Sequence, residues 1–252
     1  MTTDSLYGSK LKIKWAKQHI YEMNAAFAAW VQSNPYTMSS EVDPKDSAWI
    51  EVKLKLVKPI PEQVNMLCSY ILFDLRSALD YLATALAHLN NVTNISDVYF
   101  PIFGSKEKFE HPSCQGKIQK HFSSEVGDLI RSLNPYQGGN DLLYALHALN
   151  IVDKHQLAID VGVNVAFGQI IENSTAYFEI PGPFGFRSLT EDIVLYRHYA
   201  DAQPNPQIQM PMEITFNHVK VVDKKPVLAV LNYSLNMVEE IVATFGKRFF
   251  AS

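Results

Sequence analysis

"LHALNIVDKHQLAIDVGVNVAF", residues 146–167, changes its period part-way along. Up to His155 the apolar residues recur at helical spacing, with Leu146 and Leu149 on one face and Leu142 a turn earlier. Beyond residue 155, Leu157, Ile159, Val161, Val163, Val165 and Phe167 alternate with Ala158, Asp160, Gly162, Asn164 and Ala166. That is the two-residue period of a strand. A helix therefore ends here and a long strand begins.

Upstream the chain reads mainly as helix. Asn140 or Asp141 can cap a helix over 140–154. Before it, "NPYQGGN" stops a helix over 117–133, residues 104–116 are polar and irregular, and "VYFPIF" is a short extended piece. The longest helix spans 61–90, where Val64, Leu67, Cys68, Ile71, Leu75, Leu79, Leu82, Leu86 and Leu89 form one stripe. "AWIEVKLKLVKPIP" precedes it as a half-buried strand, with Ile50, Val52, Leu54 and Leu56 facing in and Glu51, Lys53 and Lys55 facing water. Residues 36–47 are turn-rich, and a first helix covers 9–32. Downstream, "TAYFEI", "EDIVLYRHY" and "MPMEITFNHVKVV" read as three further strands, joined by Pro- and Gly-rich connections. A last helix covers 226–249. The expected fold is α+β: helices packed on one face of an antiparallel sheet made of a four-stranded meander and the early strand. A single domain is expected over 1–252, helix-rich through 155, with the sheet and last helix in 156–252.

The 252 residues carry a net charge of -4, with 47% hydrophobic and 19% charged residues. That composition supplies a sizeable core and argues against global disorder. Slight acidity argues against an extensive DNA-binding surface. Cys68 and Cys114 have no zinc-type spacing, and Cys68 on the apolar stripe reads as a buried thiol. No apolar run approaches the roughly 18–20 residues of a membrane span, and "MTTDSLYGSKLKIKW" lacks a hydrophobic signal core. The expectation is a cytoplasmic protein with no membrane partner, no cofactor and no metal.

Two stretches concentrate polar chemistry. In "LRSALDYLATALAHL", Arg76 and Asp80 are four apart and share a helix face, either as an ordinary ion pair or as part of a site. In the 146–156 stretch, Asp153 continues the Leu142, Leu146, Leu149 row, and a carboxylate so placed needs a partner such as Arg76. His147, Asn150 and Lys154 fall on the neighbouring strip, and His155 follows at the helix exit. Lys154 and His155 also suit a helix C-terminus on electrostatic grounds alone. The candidate catalytic set is Arg76, Asp80, His147, Asp153 and His155; the candidate binding set is Tyr81, Asn150 and Lys154.

"FDLRSALDYLATAL", "YFPIF", "LNPYQ" and "LHALNIVDKHQ" together resemble a family of uncharacterised bacterial proteins. Its running pattern is L-R-S-A-L-D-H-L, F-P-I, L-x-P-Y and L-x-x-L-N-x-x-D-K-H-R, and the resemblance covers residues 64–160 in order. Tyr81 stands where that family has histidine, and Gln156 where it has arginine. The family's R-S-A-L-D-H is also similar to the short R-x4-H motif of HEPN-type helical proteins, many of them RNases in which that histidine and arginine act at the RNA phosphate. The uncharacterised family implies no function of its own, and the residues leave two readings open. The first is a non-catalytic module that binds a small molecule, a protein or RNA through an Arg/Asp/His cluster between helices. The alternative is a metal-independent RNase. A homodimer is left open.

Overall fold

The structure, a computed structural model, describes residues 4–155, 159, 161–166, 170–171, 178–179, 186–188, 192–202, 207–208, 211–217 and 219–251. Helix α1 (Tyr7–Gln32) buries Ile13, Ala16, Ile20, Met23, Phe27 and Trp30, the face that helical spacing predicts. It runs along α2 (Glu62–Leu89), whose stripe from Val64 to Leu86 is buried. Between them lie β1 (Tyr36–Val42) and β2 (Trp49–Leu56), paired antiparallel from Tyr36↔Leu56 to Val42↔Ile50. The turn-rich reading of 36–47 thus gives way to a strand. β1 is an edge strand with no buried residue, so it is held by backbone hydrogen bonds and carries no apolar alternation to read.

Two further corrections fall in the middle of the chain. Residues 104–116, read as irregular, contain α3 (Lys106–Glu110) and the start of α4 (Pro112–His121). The helix expected over 117–133 is divided between α4 and α5 (Ser124–Ser132). Each start has a local cause: the Ser105 side chain accepts the Lys108 N–H, Pro112 occupies the first turn of α4, and the Ser123 side chain accepts the Val126 N–H. α6 (Asp141–His155) begins where Asn140 Oδ1 accepts the Leu143 N–H. Asn34, Asn91 and Asn134 follow the cap residues of α1, α2 and α5 and take left-handed φ values of 49°, 57° and 48°. Asparagine tolerates that conformation, which ends a helix and redirects the chain. In "NPYQGGN", a side chain on Gly139 would put Cβ 2.6 Å from the Asn134 carbonyl, so the tight loop needs glycine there.

The C-terminal half holds β3 (Val161–Ala166), β4 (Ile170–Ile171), β5 (Phe178–Glu179), β6 (Phe186–Ser188), β7 (Ile193–Tyr199), β8 (Gln207–Ile208) and β9 (Met212–Phe216), followed by α7 (Val227–Phe249). Among the described residues, every pairing between these strands is antiparallel. The orders are β1-β2-β7-β5, β6-β3-β9 and β4-β8, so strands adjacent in sequence are not generally adjacent in space. In particular β7 returns to pair with the early strand β2. A meander expected from short connections alone misses this, because pairing across so long a stretch leaves no local signal. The residues 156–158, 160 and 167 of the expected long strand lie outside the described residues. Val52, Leu54, Val163, Leu195 and Phe216 from strands share a buried cluster with Leu75, Leu79, Leu149, Leu235 and Phe245 from helices. The fold is α+β, with helices packed against small antiparallel sheets. No helix among the described residues is long and apolar enough to cross a membrane.

Candidate functional site

α2 is buried along most of its circumference, so its polar residues need internal partners. Arg76 is 6% exposed. Its Nη2 lies 2.8 Å from Asp80 Oδ1 as an ion pair and donates to the Phe100 carbonyl at 2.9 Å, while the Phe100 N–H donates to Asp80 Oδ1 at 3.0 Å. One helix-borne pair therefore satisfies both backbone groups of Phe100 and pins the 98–103 segment onto α2. The other end of that segment is fixed by Phe103, whose N–H donates to the Pro135 carbonyl at 2.8 Å and whose carbonyl accepts the Gln137 N–H at 3.3 Å.

The clamp forms the base of a cleft of about 440 Å³. α2 contributes Arg76 and Asp80; α6 contributes His147, Asn150, Ile151 and Lys154; the 97–103 segment and α4 supply the rest. Ile102, Phe103, Ile118 and Phe122 make an apolar wall, and Lys117 and His121 enter from α4. Four of the lining residues carry buried polar atoms without a hydrogen-bond partner among the described residues: Arg76 Nη1, His147 Nδ1, Asn150 Oδ1 and both ring nitrogens of His121. His121 Nε2 lies 3.4 Å from Asp97 Oδ2, without hydrogen-bond geometry.

The electrostatics follow from burial and from two cations. Burial lowers the pKa of Arg76 against the opposing pull of Asp80. Burial raises the Asp80 carboxyl, while Arg76, the Phe100 N–H and Lys154 pull it back. His147 is pushed down to about 4, first by burial and then by the charges of Arg76 and Lys154, so its imidazole is neutral near pH 7.

Of the residues singled out from sequence, the structure brings Arg76, Asp80, His147, Asn150 and Lys154 into this cleft. Two others, Asp153 and Tyr81, go elsewhere. Asp153 is half-buried and accepts a hydrogen bond from Ser69 Oγ, not from Arg76. α6 crosses α2 so that Asp153 meets the level of Ser69, about two turns below Arg76. Its carboxylate joins burial in pushing the Cys68 thiol pKa up. Tyr81 is 50% exposed and turns toward α1, where its ring abuts Gly8. His155 ends α6, and its side chain lies outside the described residues.

Sequence reading missed Asp97, Lys117 and His121. Lys120 donates to Asp97 at 2.7 Å, tying the end of α4 to the loop after α2. The visible signals were the helix starts at Ser105 and Pro112, which would have shown α4 as a helix delivering Lys117 and His121 one turn apart. A second polar cluster also went unseen. Asp74 of α2 is buried and meets two α1 residues, Lys12 at 2.7 Å and His19 at 3.1 Å. Among the described residues no group of three His, Cys, Asp or Glu side chains is arranged to hold a metal ion, and Cys68 and Cys114 are free thiols. Comparison with protein-family models, with curated proteins and with solved structures gives no match for this chain.

Proposed function

We propose that this protein is a binding module whose ligand enters the cleft between α2, α6 and the 97–122 segment. The observation that supports it is the convergence of buried, unpartnered polar atoms from Arg76, His121, His147 and Asn150 on a single cavity. A buried polar group left unsatisfied costs about 1–3 kcal/mol, and four of the residues that carry such atoms line this one cavity. A ligand that supplies the missing partners accounts for their retention. The volume falls within the range of small-molecule sites, and the mixture of an apolar wall with a few polar groups is what orients a small ligand.

A second reading, metal-independent cleavage of RNA, draws support from Arg76 and His147 sharing the cleft. It is the weaker of the two, because a base of pKa about 4 is far from the neutral range where proton transfer is efficient. The test is two-dimensional amide NMR with a mixture of small molecules, beside an RNA cleavage assay with chelator present. Binding predicts saturable shifts at Phe100, Asn150 and Ile151 that vanish when Asn150→Leu narrows the cleft. Absence of any shift in the cleft would sink the binding reading. RNA cleavage abolished by His147→Ala would replace it with the catalytic one.

A further inference from the structure

Resting on the cleft being a ligand site, we infer that its ligand is a small aromatic acid: an anionic carboxylate or phosphate head held by Arg76, Lys117 and Lys154, with a flat apolar body lying on Phe103 and Phe122. The charges lining the cavity lead to the head group. Two carboxylates line it, and each is already compensated. Asp80 is met by Arg76 at 2.8 Å, and Asp97 by Lys120 at 2.7 Å. Lys117 and Lys154 also line it, and neither forms an ion pair among the described residues. Lys154 instead sits with its ammonium 5.3 Å from the Phe73 ring centroid, a contact it can leave at little cost. Two ammonium groups without an ion pair among the described residues therefore share the lining with a buried guanidinium that still has Nη1 to donate.

Beside the larger effect of burial, the same Arg76 and Lys154 charges act against protonation of His147, so both reach that ring. A cationic ligand would add a third like charge, and a neutral one would leave the lysines unmet. An anion gains from all three cations, and the depth of Arg76 raises the worth of that one contact above what a surface pair provides. His121, 3% exposed, adds one N–H in its neutral form.

The rest of the lining leads to the body. Ile102, Phe103, Ile118 and Phe122 line the cavity with apolar side chains. Asn150 Oδ1, buried and unpartnered, supplies an acceptor for a ring hydroxyl or N–H. A carboxylate and a phosphate monoester share this chemistry, and the probes separate them.

The experiment is amide NMR titration of the full chain with benzoate, 4-hydroxybenzoate, phenyl phosphate and inorganic phosphate, beside benzyl alcohol and benzylamine as neutral and cationic counterparts. The expected result is saturable shifts at Phe100 and Asn150 for the aromatic anions, with benzyl alcohol and benzylamine at least ~10-fold weaker. Lys117→Ala/Lys154→Ala, two exposed positions whose loss leaves the core intact, should weaken anion binding about 10-fold and leave benzyl alcohol unchanged. Whichever of benzoate and phenyl phosphate binds more tightly identifies the head group. Benzyl alcohol or benzylamine binding as tightly as the anions, or a double variant with unaltered anion affinity, would overturn the anionic ligand while leaving the cleft a binding site. No shift with any probe would overturn both.

Discussion

Replacing either member of the Arg76–Asp80 pair tests how the site is built, and the two replacements are not equivalent. Arg76→Met removes a buried cation, leaves the Phe100 carbonyl without its donor and strands the Asp80 carboxylate. Asp80 has ways to adapt: its side chain is 31% exposed, it keeps the Phe100 N–H, and burial already favours its neutral form. The expected loss is about 2–3 kcal/mol, below the ~3–5 kcal/mol for breaking a fully buried pair. Asp80→Leu strands the guanidinium instead. Arginine cannot shed its proton, and only 7% of this side chain is exposed. That loss should reach about 3–5 kcal/mol. The double variant Arg76→Met/Asp80→Leu leaves no stranded charge and should be more stable than the sum of the singles by about 1–3 kcal/mol. Urea unfolding of all four proteins measures this, and the single variants should lower the melting temperature by roughly 4–20 °C at this chain length. Additivity of the two substitutions within about 0.5 kcal/mol, or Arg76→Met costing more than Asp80→Leu, would refute the reasoning.

His147 should titrate by NMR with a midpoint near the value of about 4 that burial and the two cations impose, against an ordinary 6.5, and Lys154→Gln should raise that midpoint. Because its folded pKa lies below its unfolded one, the unfolded chain takes up the proton first; the stability it contributes is present above pH 6.5 and lost as pH falls to about 4. Asp80 has a raised pKa and acts in the opposite sense, so the measurement is the difference in urea midpoint between wild type and His147→Gln across that window. Asp153→Ala should cost about 1 kcal/mol, since it removes a hydrogen bond to Ser69 and strands no cation; a loss above about 3 kcal/mol in the same assay would mean a partner beyond Ser69. Lys12→Met leaves Asp74, 3% exposed, with His19 alone and should cost about 2–4 kcal/mol by chemical denaturation; a neutral result would show that water reaches the carboxylate.

The parts of this fold that could be read from sequence are those whose burial is periodic. α1, α2, α6 and α7 each carry an apolar row, and β2 alternates; all five form where those patterns stand. The elements that escaped have few buried residues. β1 has none, α3 buries only Phe109, and α4 buries only Ile118 and His121. The same division runs through the site. Arg76 with Asp80, and the strip of His147, Asn150 and Lys154, are spaced along single helices and so could be seen. Lys117 and His121 reach the cleft only because α4 packs beside the 97–103 segment, a tertiary relation that no spacing within α4 announces. Tyr81 shows the converse. It adjoins Asp80 in sequence, but one residue is about 100° around a helix, which carries its ring out of the cleft and toward α1.

α2 carries two charged nests, and comparing them explains where the spare donor lies. Asp74 faces α1, where Lys12 reaches it along a helix packed lengthwise against α2; the cation is itself only 12% exposed and is flanked by the rings of Trp15 and Phe73 at 4.7 and 4.8 Å from their centroids. Lys12 meets Asp74 Oδ1 there at 2.7 Å, and His19 lies 3.1 Å from the other oxygen. Arg76, less than a turn further along, faces away from α1 toward a stretch of backbone. The 98–103 segment has no long side chain of opposite charge to offer, only the amide of Phe100, and that amide is satisfied by one guanidinium nitrogen and one carboxylate oxygen. The second guanidinium nitrogen remains over. The backbone partner uses only one of the two guanidinium nitrogens, and the cavity lies beside the pair. That leftover donor beside the cleft follows from packing an arginine of a buried helix against an extended segment.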